Sequence, residues 1–190
     1  MKYKNILNFL HEIEALKKLL RHSWLSDGRQ ESVAEHSWRL MMMALVLHDQ
    51  VEEKVNLSKV LKMLAIHDVA EIYAGDHHAW KGELVGKHKD EKLAIKKILS
   101  ILKNESKEKE LFEIWLEFEN RETYDAQFAQ AMDKLEVLIQ HNEAEIATWN
   151  ETEFEFNLVY GDDKVEFSKF LKNFREVIKE ESRDKIKRMS

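Results

Sequence analysis

A chain of 190 residues with no proline and only five glycines has few places to stop a helix. Both residues disfavour helix interiors, proline by about 3 kcal/mol and glycine by about 1. The glycines, Gly28, Gly75, Gly82, Gly86 and Gly161, mark the few breaks available. The expectation is an all-α fold, a single-domain bundle of six or seven helices built from one chain of ordinary domain length.

Apolar spacing places those helices. Leu7, Phe9, Leu10, Ile13, Leu16, Leu19 and Leu20 predict a first helix over 4–20, followed by a loop at 21–31 around Asp27-Gly28. Ser32-Val33-Ala34-Glu35 has the Ser-x-x-Glu pattern of a capping box, predicting a helix that runs to about Gln50. A third helix begins near Asn56 or Ser58 and stops at Gly75. Residues 76–87 read as loop, with helices expected over 88–103, 106–121, 123–150 and 166–188. The stretch 154–165 is ambiguous, an extended segment or a turn.

With 35% charged and 44% hydrophobic residues the composition is that of a folded globular protein. A net charge of −6 argues against a general grip on DNA or RNA but leaves room for a small phosphorylated ligand. Without cysteine there is neither a disulfide framework nor a thiolate metal site. The N-terminal stretch, with charges scattered through it, does not read as a signal peptide, and the apolar run LMMMALVL is too short to span a bilayer. A cytoplasmic protein with no membrane partner is the expectation.

The chemistry concentrates in "HDVAE", residues 67–71, set within the apolar run LKMLAIHDVAEIYAG. Ionisable groups there need a partner or a metal. In a continuous helix His67 and Glu71 share a face, with Asp68 about 100° away. His36 falls early in the second helix, and Asp133 sits in FAQAMDKLEVLI with Ala126, Ala129 and Gln130 on its face. Each residue alone is most simply a paired or solvated side chain. Together His36, His67, Asp68 and Asp133 supply two imidazoles and two carboxylates. That mixed nitrogen and oxygen set suits one divalent ion such as Mn, Fe, Co, Ni, Zn or Mg. Glu136 and His141 follow Asp133 on the same helix. His141, eight residues on, lies about 12 Å further along the axis, outside such a shell.

The order His, His-Asp, Asp resembles the HD-domain metal-dependent phosphohydrolases. Three blocks carry the resemblance: "ESVAEHSWR" at 31–39, "HDVAEIYAGD" at 67–76 and "AMDKLEVLIQHNEAEIATW" at 131–149. They are similar to the small single-domain branch that includes bacterial 5′-deoxynucleotidases, and the likeness spans roughly residues 5–180. The resemblance implies a single HD domain over 1–190 and release of phosphate from nucleoside 5′-monophosphates. It implies Glu71 as general acid or base, Asp76 as a second acidic site residue, and Arg21 and Trp24 at the phosphate and sugar. In the family pattern that arginine and tryptophan are adjacent; here His22 and Ser23 separate them. A homodimer is implied as well.

His77, His78 and Lys81, in the loop after Asp76, are within reach of a substrate, and Lys81 is taken as a candidate contact; Arg29 and Lys134 are weaker phosphate candidates. The run Met41–Met43 reads as core packing, and the charge runs at 87–110 as solvated helix faces. Two other readings compete. One is an HD hydrolase acting on a nucleoside triphosphate, a cyclic nucleotide or an alarmone. The other is a helical protein that binds metal or nucleotide without turnover.

Overall fold

The computed structural model describes residues 2–75 and 87–189, so Asp76, His77, His78 and Lys81 fall outside the described residues. Within them the chain folds into eight α-helices and one small antiparallel hairpin. The helices are α1 (Lys2–Ile13), α2 (Val33–Leu47), α3 (Leu57–Ile66), α4 (Lys87–Leu99), α5 (Glu105–Asn120), α6 (Tyr124–Glu143), α7 (Glu153–Val159) and α8 (Lys169–Lys187). The hairpin pairs β1 (Leu20–Trp24) with β2 (Gln30–Ser32), with Leu20 opposite Ser32 and Trp24 opposite Gln30. Among the described residues no helix is long and apolar enough to cross a membrane.

The side-chain caps explain most of the starts. Ser32 accepts from the Glu35 N–H while the Glu35 carboxylate reaches back to the Ser32 N–H at 2.9 Å, closing the expected capping box. Asn56, Asn104, Thr123 and Ser168 cap α3, α5, α6 and α8, each side chain accepting from the N–H three residues on. Ser32→Ala is therefore expected to cost about 1 kcal/mol of stability, read as a shift in the urea midpoint at unchanged slope.

Three segments differ from the sequence reading. The first helix gives way after Ile13 to a 3₁₀ turn, Glu14–Lys17, and 20–32, expected mostly as loop, forms the hairpin. Its strands carry Arg21, His22, Ser23 and Glu31, so they show no apolar alternation; burial of Ser23 and Glu31 against the helices supplies the signal the sequence lacks. The turn closes through the Leu25 N–H to Arg29 carbonyl bond at 2.7 Å, with Gly28 at φ +85°. The ambiguous 154–165 stretch holds most of α7 and a 3₁₀ turn, Asp162–Lys164, and so adds one helix to the seven expected. The third helix is not continuous: α3 ends at Ile66, His67–Ala70 is 3₁₀, and one α-turn, Glu71–Ala74, leads to Gly75 at φ +79°. In a 3₁₀ segment residues three apart eclipse, so the face-sharing of His67 and Glu71 expected of a regular helix is altered.

Two apolar clusters flank this break. The larger holds Leu40 and Ala44 of α2, Met63 and Leu64 of α3, Phe128, Met132 and Leu135 of α6, and Leu171 and Ile178 of α8. The smaller holds Ile66, Val69, Ile95, Ile98 and Trp115. His67 stands between them. Its ring centroid lies 5.3 Å from that of Phe118, and its carbonyl accepts from Trp115 Nε1 at 3.1 Å.

Candidate metal centre

Three elements bring the site together. The capping box starts α2, which sets His36 in its first turns. The 3₁₀ segment presents His67 and Asp68 side by side. Helix α6 presents Asp133 from the opposite side. One donor atom each of His36, His67 and Asp133 lies within 4.8 Å of the others. His36 Nε2 is 3.1 Å from Asp133 Oδ1 and 3.9 Å from Asp68 Oδ2; His67 Nε2 is 2.9 Å from the same Asp68 oxygen. The two imidazole centroids are 5.6 Å apart. All four residues expected from the sequence thus converge.

The donor atoms are aimed rather than merely near. His67 Nδ1 is engaged by the Leu64 carbonyl at 2.9 Å, which leaves Nε2 turned into the cluster. That Nε2 is buried and faces the Asp68 carboxylate at 2.9 Å. A buried imidazole nitrogen with its other nitrogen already bonded is the usual preparation for metal ligation. His36, fully buried, is held through Nδ1 to Glu136 Oε2 at 2.6 Å, again freeing Nε2 toward Asp133. The oxygen and nitrogen set fits a hard or borderline divalent cation.

The charges fit as well. Burial opposes ionisation of Asp68, but His67, His36 and Arg21 hold its carboxyl down to about 2. Asp133 is likewise lowered well below the usual range against burial, chiefly by Lys134, whose Nζ lies 2.8 Å from Oδ2, and by His36. Both carboxylates are therefore ionised as ligands. Arg21 Nη1 approaches Asp68 Oδ2 at 3.5 Å while its Nε lies 3.4 Å from Glu31 Oε2, so the hairpin places a guanidinium at the rim of the cluster. Glu31 is 2% exposed, and burial together with the Glu136 charge pushes it up to about 7.

The remaining candidates separate. Glu71 is buried at the start of the helical turn that follows the 3₁₀ segment. Trp24 ends β1, half-buried, and its carbonyl accepts from Gln140 Nε2 at 2.7 Å. Arg29 forms a two-pronged pair with Glu35 at 2.7 and 2.9 Å, which commits its guanidinium to the capping box. Lys134 is committed to Asp133. His141 takes Asn157 at 2.8 Å and Glu153 at 3.7 Å, a separate buried polar group beside α7. Met41 and Met43 pack against the larger core, while Met42 is exposed.

Sequence reasoning missed the layer behind the ligands: Glu31, Glu136 and Arg39. A signal existed for Glu136, because three residues after Asp133 in a helix is the same face. None existed for Glu31, whose burial depends on the hairpin.

Comparisons with known proteins agree with this geometry. The HD domain family model matches residues 13–175. The 5′-deoxynucleotidase HDDC2 of Bos taurus is 34% identical over 145 residues, covering 75% of this chain and 69% of that protein. Its Homo sapiens counterpart is 32% identical over 148 residues with the same coverage. The crystal structure of a predicted metal-dependent phosphohydrolase from Magnetospirillum magnetotacticum MS-1 matches with a TM-score of 0.81 at 32% identity, covering 97% of this chain and 96% of that one. With a buried cluster of two histidines and two aspartates drawn from the three blocks that its sequence holds in order, the chain belongs to the HD domain family.

Proposed function

We propose that the chain is a metal-dependent phosphomonoesterase that releases phosphate from nucleoside 5′-monophosphates, the deoxy forms first. The observation that carries it is the convergence of His36, His67, Asp68 and Asp133, with Arg21 at the rim. The relatives named 5′-deoxynucleotidase support the substrate class. A divalent cation held by those four residues would supply Lewis acidity at a phosphoryl oxygen and lower the pKa of water.

The chain's own residues have distinct parts in this reading. Arg21 meets the phosphate and offsets its charge, an arginine being suited to two-pronged contact with phosphate oxygens. Glu71 and Asp76 take a proton from the water that attacks phosphorus and supply one to the 5′ oxygen that leaves as the nucleoside hydroxyl. Trp24 contacts the sugar, and Lys81 is a further candidate contact to the substrate. The reading includes a single HD domain, a cytoplasmic location and a homodimer, the last measured by sedimentation as a dimer mass against a monomer mass.

The test is phosphate release from a panel of ribo- and deoxyribonucleoside 5′-monophosphates in Mn, Co, Ni, Mg and chelator. Metal-dependent release that is faster on the deoxy set is expected. Pyrophosphate release from triphosphates, or opening of cyclic nucleotides, with monophosphates untouched, would replace the substrate class. Tight metal binding without turnover of any phosphate ester would replace catalysis with binding.

A further inference from the structure

The four ligands do not stand alone on their elements. Asp133, Glu136, Gln140 and Glu143 recur on α6 at intervals of three, four and three residues, which places them on one stripe of the helix. Each of the last three touches something that bears on the site. Glu136 Oε2 meets His36 Nδ1 at 2.6 Å. Gln140 Nε2 donates to the Trp24 carbonyl at 2.7 Å, and its Oε1 accepts from Arg39 at 2.9 Å. Glu143 takes Arg39 through both carboxylate oxygens at 2.6 Å. The Nε of Arg39, three residues after His36 on α2, lies 3.9 Å from Glu136 Oε1.

Glu136 has no exposed surface, and neither has His36. A carboxylate placed there is costly unless it is compensated, and the compensation comes from His36, Arg21 and Arg39. The geometry fixes more than charge. An imidazole bonded to a carboxylate through Nδ1 keeps a proton on that nitrogen, so Nε2 is the nitrogen left to meet a metal. Here it points toward Asp133 and Asp68. The other histidine of the cluster is oriented differently, by the Leu64 main-chain carbonyl, so only His36 depends on a side chain.

We propose that Glu136 is the positioning residue for His36: it holds the ring so that Nε2 faces the metal, with the Arg39 guanidinium 3.9 Å from its other oxygen as a nearby countercharge. One helix then supplies both a ligand, Asp133, and the group that aims another ligand from α2. This rests on His36 being a ligand, as in the function proposed above. Glu136 is assigned no contact with substrate.

The experiment is Mn titration of the metal-free protein by calorimetry, with the metal-free melting temperature recorded alongside. The variants are Glu136→Met, which keeps volume and removes the acceptor, Glu136→Gln, which keeps a neutral acceptor, and His36→Ala. Glu136→Met is expected to weaken Mn binding about 10- to 100-fold. Glu136→Gln is expected to recover most of that loss. Equal affinity of both Glu136 variants and wild type, with His36→Ala losing the metal, overturns the proposal and leaves the ligand set intact. A lowered melting temperature with wild-type affinity in the folded variants shows a merely structural role and also overturns it. Wild-type affinity in His36→Ala removes the ligand reading itself. If Glu136→Met does not fold, Glu136→Gln against His36→Ala still decides. The proposal then stands if Glu136→Gln binds Mn measurably more weakly than wild type but more tightly than His36→Ala, and falls if its affinity equals that of either.

Discussion

His67→Ala is expected to remove metal binding and turnover together. In the wild-type protein, metal at 100 times its dissociation constant stabilises the fold by about 2.7 kcal/mol, and that increment disappears in the variant. Turnover falls on the order of a thousandfold, since the several kcal/mol that a cation contributes to phosphoryl transfer convert at about 1.4 kcal/mol per decade. The metal-free variant is less stable than wild type, because it gives up the Nδ1 bond to the Leu64 carbonyl, the ion pair with Asp68 and the contact with Phe118, so the quantity to read is the metal-induced increment and not the absolute melting temperature. Glu71→Ala provides the contrast, with the metal-induced rise in melting temperature retained and the rate lost. A full metal-induced rise in His67→Ala removes His67 from the ligand set.

Trp115→Ala is expected to be the most destabilising single change near the site, at about 3–5 kcal/mol. Trp115 is 1% exposed within the smaller core, stacked beside Phe112 and His88, and its Nε1 donates to the His67 carbonyl. Trp115→Phe keeps most of the ring and gives up that hydrogen bond, so about 1–2 kcal/mol is expected. Urea unfolding of the two variants separates packing from the bond. If Phe costs as much as Ala, the bond to the 3₁₀ segment outweighs the packing, and that segment is held mainly from α5.

The parts of the fold legible in the sequence are those governed by local chemistry. Ser32 and Glu35 announce the start of α2 without help from the rest of the chain, and Asn56 does the same for α3. The convergence of the four proposed ligands was legible because such residue types are improbable in apolar helical stretches. The hairpin was not. Arg21, His22 and Ser23 have no strand signature, and their conformation is decided by what β1 packs on. The 3₁₀ segment was hidden for a different reason: LKMLAIHDVAEIYA is compatible with an uninterrupted helix, and the tighter winding at His67–Ala70 comes from tertiary packing. Glu136 was visible as a residue and not as a partner, because its pairing with His36 joins positions 100 residues apart.

The hairpin has a consequence for how the molecule breathes. A two-stranded ribbon is marginal by itself and borrows its order from neighbours. Here the loans are largely side-chain contacts: the Gln140 amide donating to the Trp24 carbonyl, His22 beside Glu153, Arg29 and Ser32 on Glu35, and Arg21 beside Asp68. Helix α6, by contrast, is buried along most of its length. Amide exchange should therefore be fast across 20–32 and slow across 133–141, so that the side of the cleft carrying Arg21 opens by local unfolding while the side carrying Asp133 stays shut. A nucleotide would then enter a site whose cation-binding wall is permanent and whose phosphate-binding wall assembles around it.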